Sequence, residues 1–222
     1  MTYFSRAGIP VKHISWLFII FFIFNSGCKK NLKWLTVDPA FSKYVESYTT
    51  GTVSKTSPIR IRLSENVKTT HTIGEPVKES LFEFSPTVNG KATWLDARTI
   101  EFKPEKMLAP GEQYNVSFKL GKVTQVSSGF ETMRFSLQTL KPAFEVTETG
   151  LRSPGSKQEM FLNGTLETSD FEDPAQVEKI LSAYSEKDGL KILWEHSNNN
   201  RTHNFSINKI PRQTKESKLE LR

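Results

Sequence analysis

Between Ser57 and Ser64 the chain reads Ser-Pro-Ile-Arg-Ile-Arg-Leu-Ser, with apolar and charged side chains in strict alternation. Successive side chains of an extended backbone point to opposite sides. The pattern therefore buries one face and solvates the other only as a β-strand. The same period recurs in Leu81-Phe-Glu-Phe84, Ala92-Thr-Trp94, Thr99-Ile-Glu-Phe102, Tyr114-Asn-Val-Ser-Phe118 and Met133-Arg-Phe-Ser-Leu137. Turn formers stand between them: Ser85-Pro86, Asn89-Gly90, Asp96-Ala97, Ala109-Pro110-Gly111 and Ser128-Gly129. Many short strands at this spacing predict an all-β chain built of sandwiches.

The first sandwich is expected over 38–140, opened by a brief helix in which Asp38 caps and Pro39 takes the first helical position. Lys141-Pro142 marks a boundary, and a second sandwich follows over 143–222. Its strands are Phe144-Glu-Val146, Met160 to Leu166, Lys191-Ile-Leu-Trp194 and Thr202 to Ile207, with Asn198-Asn-Asn200 as a hairpin tip. One short helix is expected near 174–184, capped by Asp173, with Pro174 first and Val177, Ile180 and Leu181 on one face. Leu219-Glu-Leu221 alternates again just before Arg222, so the second sandwich reads as truncated and the chain as the front end of a longer protein.

The N-terminus has a different character. Arg6, Lys12 and His13 lead into an apolar run from Ile14 to Phe24. As a helix that run rises about 16 Å, too little for a hydrocarbon core of about 30 Å. A basic flank, a short apolar core and small residues describe a signal peptide over 1–27. Asn25-Ser-Gly-Cys28 resembles a bacterial lipobox, although Asn25 stands where Leu is usual. That resemblance implies a diacylglycerol on Cys28, a tether over 28–37 and a membrane contact through the lipid. Neither an Asp after the cysteine nor an acidic export cluster follows. By the same resemblance the expected place is the cell envelope, on the periplasmic face of the outer membrane. Cys28 is the only cysteine, so no disulfide can form within the chain.

The net charge is +6, but Lys, Arg, Asp and Glu are interspersed and form no basic patch of the kind that holds nucleic acid. No nucleophile elbow, phosphate-binding glycine loop or metal-spaced cluster occurs, so no enzyme, cofactor or metal is expected. His196 and His203 lie on opposite arms of the hairpin and can face each other. Two imidazoles without a third ligand make a weak metal site, and a structural pair is the better reading. Glu195 points away from His196 on adjacent strand positions. Asp96 and Arg98 read as turn residues. Trp94 and Tyr114 can line a sugar-binding surface or fill the core, and the core is the commoner place for them. Asn115, Asn163, Asn200 and Asn204 fit the N-glycosylation pattern without a reason to be used in a bacterial envelope protein.

The phrases Ser57 to Ser64, Phe84-Ser-Pro86, Trp94-Leu-Asp96, Thr99 to Pro104 and Leu108-Ala-Pro-Gly-Glu-Gln-Tyr114 resemble bacterial Ig-like domains. Together with Asp38 to Thr52, Ile192-Leu-Trp-Glu-His196 and Arg201-Thr-His203, the chain resembles the N-terminus of the alpha-2-macroglobulin family lipoproteins of the Bacteroidetes type. The resemblance implies an Ig-like sandwich followed by a macroglobulin-like one. It implies an anchoring and scaffold role in a protease inhibitor whose targets are proteases. Bait segment and thioester are absent, since the thioester needs a cysteine other than Cys28. The alternative is a stand-alone Ig-like envelope lipoprotein that binds glycan or another envelope protein.

Overall fold

The computed structural model describes residues 32–67, 73–77, 79–153, 155 and 159–222, and within them the alternating segments form sheets. Cys28 and the apolar run before it lie outside them. Leu32–Arg222 is one compact unit that holds two hydrophobic cores.

A 3-10 turn, Pro39–Lys43, opens the first half, and the Asp38 carboxylate accepts the Ala40 N–H at 2.9 Å. Strands β1 (Val45–Tyr48), β3 (Ile59–Leu63), β5 (Gly90–Trp94) and β6 (Thr99–Pro104) form one antiparallel sheet in the order β1-β3-β6-β5. Strands β2 (Gly51–Val53), β4 (Phe82–Ser85), β7 (Gln113–Phe118) and β8 (Met133–Thr139) form the facing sheet, β2-β8-β7-β4, in which β2 runs parallel to β8. The chain changes sheets between β1 and β2. Thr49 N–H still bonds Arg60 O, while the Thr50 hydroxyl already donates to Ser136 O. The inward residues of both sheets meet in one core, with Ile59, Ile61, Ile100, Val116, Phe118, Phe135 and Leu137 fully buried. Burying side chains of this kind contributes about 1.5–3 kcal/mol each.

In the second half, β9 (Phe144–Glu148), β10 (Glu159–Thr168), β13 (Ile192–His196) and β14 (Thr202–Pro211) make an antiparallel sheet, β13-β14-β10-β9. Strands β11 (Ala183–Ser185), β12 (Asp188–Leu190) and β15 (Leu219–Leu221) make a smaller one, β12-β11-β15. Leu162, Leu181, Ala183, Phe205, Ile207 and Ile210 form the core there. Phe205 lies across the strand from Gly164 with its ring over the glycine. A Cβ at that position would collide with the ring and sit 2.6 Å from the Thr147 carbonyl oxygen.

The chain is all-β with one short helix, and that helix is shorter than its pattern suggests. α1 (Pro174–Val177) is capped as expected, the Asp173 carboxylate accepting Ala175 N–H at 2.8 Å. The α-helix stops at Val177 instead of running toward 184. From Leu181 the burial alternates, with Leu181, Ala183 and Ser185 inward, and β11 pairs with both β12 and β15. Four helical residues have little stability of their own. Two strand partners for the next segment outweigh another helical turn.

Candidate functional site at the junction of the two cores

The connection between the two halves is Leu140–Ala143, and its polar groups are taken on both sides. Leu140 N–H donates to Val53 O, and Leu140 O accepts from Gly111 N–H, both at 2.9 Å. Lys141 O accepts from the Ser169 hydroxyl at 2.8 Å, and Ala143 exchanges bonds with Ser169. Gly111 turns with φ +68, a conformation other side chains rarely adopt.

Beside this connection, Asp170 reaches from the end of β10 into the loop after β2. Its Oδ1 accepts from the Ser54 hydroxyl at 2.6 Å and from Phe171 N–H at 2.8 Å. Its Oδ2 accepts from Lys55 N–H at 2.7 Å. Asp170 and Lys55 are both buried, at 9% and 7% exposure. The Lys55 ammonium pairs with Glu172 at 2.9 Å, and its carbonyl accepts from Leu108 N–H. A carboxylate that accepts several N–H and O–H donors makes charge-assisted bonds, about twice as strong as neutral ones. Nothing in the alternation of the strands marks Ser54, Lys55, Asp170 or Glu172. Their partnership spans more than 100 residues and runs from side chain to backbone.

A second cluster lies beyond Glu172. His196 and His203 are cross-strand partners on β13 and β14, as the hairpin spacing predicts. Their Nδ1 atoms are 2.8 Å apart, and His196 Nε2 is 3.3 Å from Glu178 Oε1. These partners dictate the tautomers. His196 carries its proton on Nε2 toward the carboxylate, and its Nδ1 lone pair accepts from His203 Nδ1–H. His203 Nε2 is then a lone pair, buried and without a hydrogen-bond partner. His203 is fully buried, and that burial pushes its pKa below the usual 6.5, with His196 acting the same way. Glu172 and the Asn200 backbone oppose the shift. Trp194 stacks on the His196 ring at 5.9 Å. Among the described residues no group of three or more His, Cys, Asp or Glu is placed to hold a metal ion, and the contact between the two rings ties β13 to β14. Glu178, just past α1, is the member that the hairpin spacing could not supply.

The remaining candidates have structural places. Trp94 and Tyr114 are each 4% exposed and belong to the first core, where no sugar ring can stack on them. The Tyr114 phenol oxygen accepts from Ala109 N–H at 2.9 Å, and burial raises its pKa. Asp96 accepts from Arg98 N–H and the Thr99 hydroxyl, the first of which lowers its pKa most. Arg62 and Arg98 share Glu46, so the turn belongs to a surface charge network. Asn115 bridges Lys33 O and the Ser136 hydroxyl. No helix among the described residues is long and apolar enough to cross a membrane.

Two sheets, a chain that switches between them and a buried tyrosine tied to the loop before its strand are features of an Ig-like sandwich. Residues 36–139 match the bacterial Ig-like domain. The match ends just before the junction. No curated protein matches the chain. Solved structures similar to it include L,D-transpeptidase 3 from Mycobacterium tuberculosis in complex with a faropenem-derived adduct. It is 16% identical, over 47% of this chain and 40% of that one, with a TM-score of 0.31. Another is an L,D-transpeptidase from Mycobacterium tuberculosis H37Rv, 14% identical over 70% of this chain and 68% of that one, with a TM-score of 0.33. The chain thus spans 40% of the length of the first of these. At such identities and scores neither likeness carries an argument about activity.

Proposed function

We propose that the chain is a non-catalytic spacer and scaffold of the bacterial envelope. In this reading residues 1–27 are removed on export and Cys28 carries the lipid. The Ig-like domain and a macroglobulin-like sandwich from 143 then stand off the membrane as one arm. The observation that supports it is the Asp170 junction, which replaces a loose linker with buried, charge-assisted bonds. A scaffold needs that property, and a flexible tether does not.

Paired spin labels on the exposed positions Lys103 and Lys191, in a Cys28→Ser background, test the arm. A single narrow distance distribution is expected, and a broad one refutes the scaffold. Mass analysis of the mature N-terminal peptide tests the tether: a diacylglyceryl cysteine is expected, and an unmodified Cys28 in the membrane fraction defeats it.

The finer reading is the front part of a macroglobulin-like protease inhibitor, facing the periplasm from the outer membrane. It rests on the resemblance of residues 38–52, 94–104 and 192–203. Native protein captured through the Ig-like domain and challenged with a protease should retain that protease in the complex. Release of an uninhibited protease argues for the second reading, a stand-alone lipoprotein that binds glycan or another envelope protein. A shallow hollow of about 520 Å³ over Asn163, Thr165, Asn204 and Ser206 favours that alternative.

A further inference from the structure

Strand β9 stands at the edge of its sheet, and among the described residues no other strand pairs with its outer side. The flanking bonds, Thr149 N–H to Asn163 O and Ser169 N–H to Ala143 O, set the phase of the ladder. Odd residues of β9 bond to β10. The N–H and C=O groups of Phe144, Val146 and Glu148 therefore face outward, with no backbone partner among the described residues. Edge strands usually carry Lys, Pro or a bulge that blocks further pairing. Phe-Glu-Val-Thr-Glu carries none of these, and the only charges on it are the glutamates Glu145 and Glu148.

The two faces of this edge differ. At Phe144 the strand borders a hollow of about 620 Å³, with an apolar wall of Pro110, Leu140, Pro142 and Ile180 and the junction residues Asp170 and Glu172 at its other side. Phe144 is 56% exposed there. On the other face Glu145 stands directly opposite Glu167 on β10. Both are exposed, and among the described residues no ion pair or hydrogen bond engages either side chain. Like charges directly opposite destabilise a sheet. A cation laid between them removes that cost.

We infer that the β9 edge binds an extended basic segment of a partner protein by strand addition. Main-chain bonds go to Phe144, Val146 and Glu148. Alternate side chains of an added strand fall on opposite faces, so the segment alternates Lys or Arg, meeting Glu145 and Glu167, with apolar residues that enter the hollow. Charge selects this occupant over a second copy of the chain. Pairing β9 with β9 would gather Glu145 and Glu167 of both copies around one seam. The proposal does not depend on the lipid tether or on protease inhibition.

The test is fluorescence anisotropy of a labelled, end-capped peptide alternating lysine and valine, titrated with the full chain in non-ionic detergent at low salt. Saturable binding is expected. Val146→Pro removes an N–H that β10 does not use, so the fold stays intact by circular dichroism while affinity falls at least tenfold. Converting both Glu145 and Glu167 to Lys should lose the lysine peptide and gain its glutamate counterpart. Equal affinity for Val146→Pro overturns the proposal. So does equal binding of a proline-interrupted peptide of the same charge, which would mean attraction without pairing. A wild-type dimer that Val146→Pro dissociates overturns it in favour of self-association.

Discussion

Replacing Asp170 with Ala removes the acceptor for two donors from the loop after β2. The two donors do not fare alike. Ser54 has a second partner, the Thr56 hydroxyl at 2.8 Å, and recovers most of its loss. Lys55 N–H is buried, and among the described residues Asp170 is the acceptor it bonds. A buried donor left unsatisfied costs about 1–3 kcal/mol, and a bond to a charged acceptor lies at the upper end. The expected loss is therefore about 3 kcal/mol, or about 6–12 °C in Tm for a unit of this size. Asp170→Asn keeps one carbonyl oxygen for Lys55 N–H and should cost about half as much. Glu172→Gln keeps an acceptor but leaves the buried Lys55 ammonium without a counter-charge, and should cost about 1–3 kcal/mol. Calorimetry with urea unfolding measures all three. The wild type should melt in one transition, because the junction couples the two cores, and Asp170→Ala should split off an earlier transition for the second half. If Asp170→Ala lies within about 0.5 kcal/mol of wild type with one transition preserved, the junction does not couple the cores.

Three further outcomes follow from the same geometry. His203 has a folded pKa below its unfolded value of 6.5, so the unfolded chain binds the extra proton first. Stability from this site is full above 6.5 and falls as the pH drops from 6.5 toward the folded pKa. His203→Gln should flatten urea-unfolding free energies measured across that window. The neighbours Glu172, Glu178 and His196 stay in place as the common background. Gly164→Ala forces the Phe205 ring off its glycine and should cost about 1–3 kcal/mol by urea unfolding, whereas Gly164→Ala with Phe205→Leu should recover part of it. Tyr114→Phe leaves Ala109 N–H without its acceptor and should cost about 1–2 kcal/mol, read as a lower urea midpoint at unchanged slope.

What the sequence made legible follows from which forces leave a period. Ile59, Ile61 and Leu63 alternate with arginines because one face of β3 is buried and the other wet, and that contrast is written residue by residue. β1 and β2 leave no such mark. Val-Glu-Ser-Tyr and Gly-Thr-Val are short, and the chain changes sheets between them, so neither runs long enough to show a period. The Asp173-Pro174 cap was legible, but the length of α1 was not. Val177, Ile180 and Leu181 fit a helical face while Leu181, Ala183 and Ser185 fit a strand, and only pairing with β12 and β15 decides between them. The His196–His203 pair was legible because a hairpin places its arms in register.

The junction was not legible, and the reason bears on its role. Asp170 and Glu172 lie in Ser-Asp-Phe-Glu-Asp-Pro, which reads as an ordinary acidic run before a helix cap. What gives Asp170 its place is the backbone of Lys55, an N–H that any residue other than proline would present. Half of the clamp is thus independent of side-chain identity and invisible to any pattern. The other half, the Lys55–Glu172 ion pair, has its ammonium buried and its carboxylate partly exposed. Specificity of the junction therefore concentrates in one buried carboxylate. The proposed binding edge is illegible for a similar reason, since its donors are backbone groups. Its two glutamates become a feature only when β9 and β10 pair and set Glu145 against Glu167. Both sites are made by register, the junction between two halves of the chain and the edge between two strands. A change that shifts β9 by one residue against β10 should therefore disable the edge while leaving the Asp170 contacts, which begin beyond the end of β10, in place.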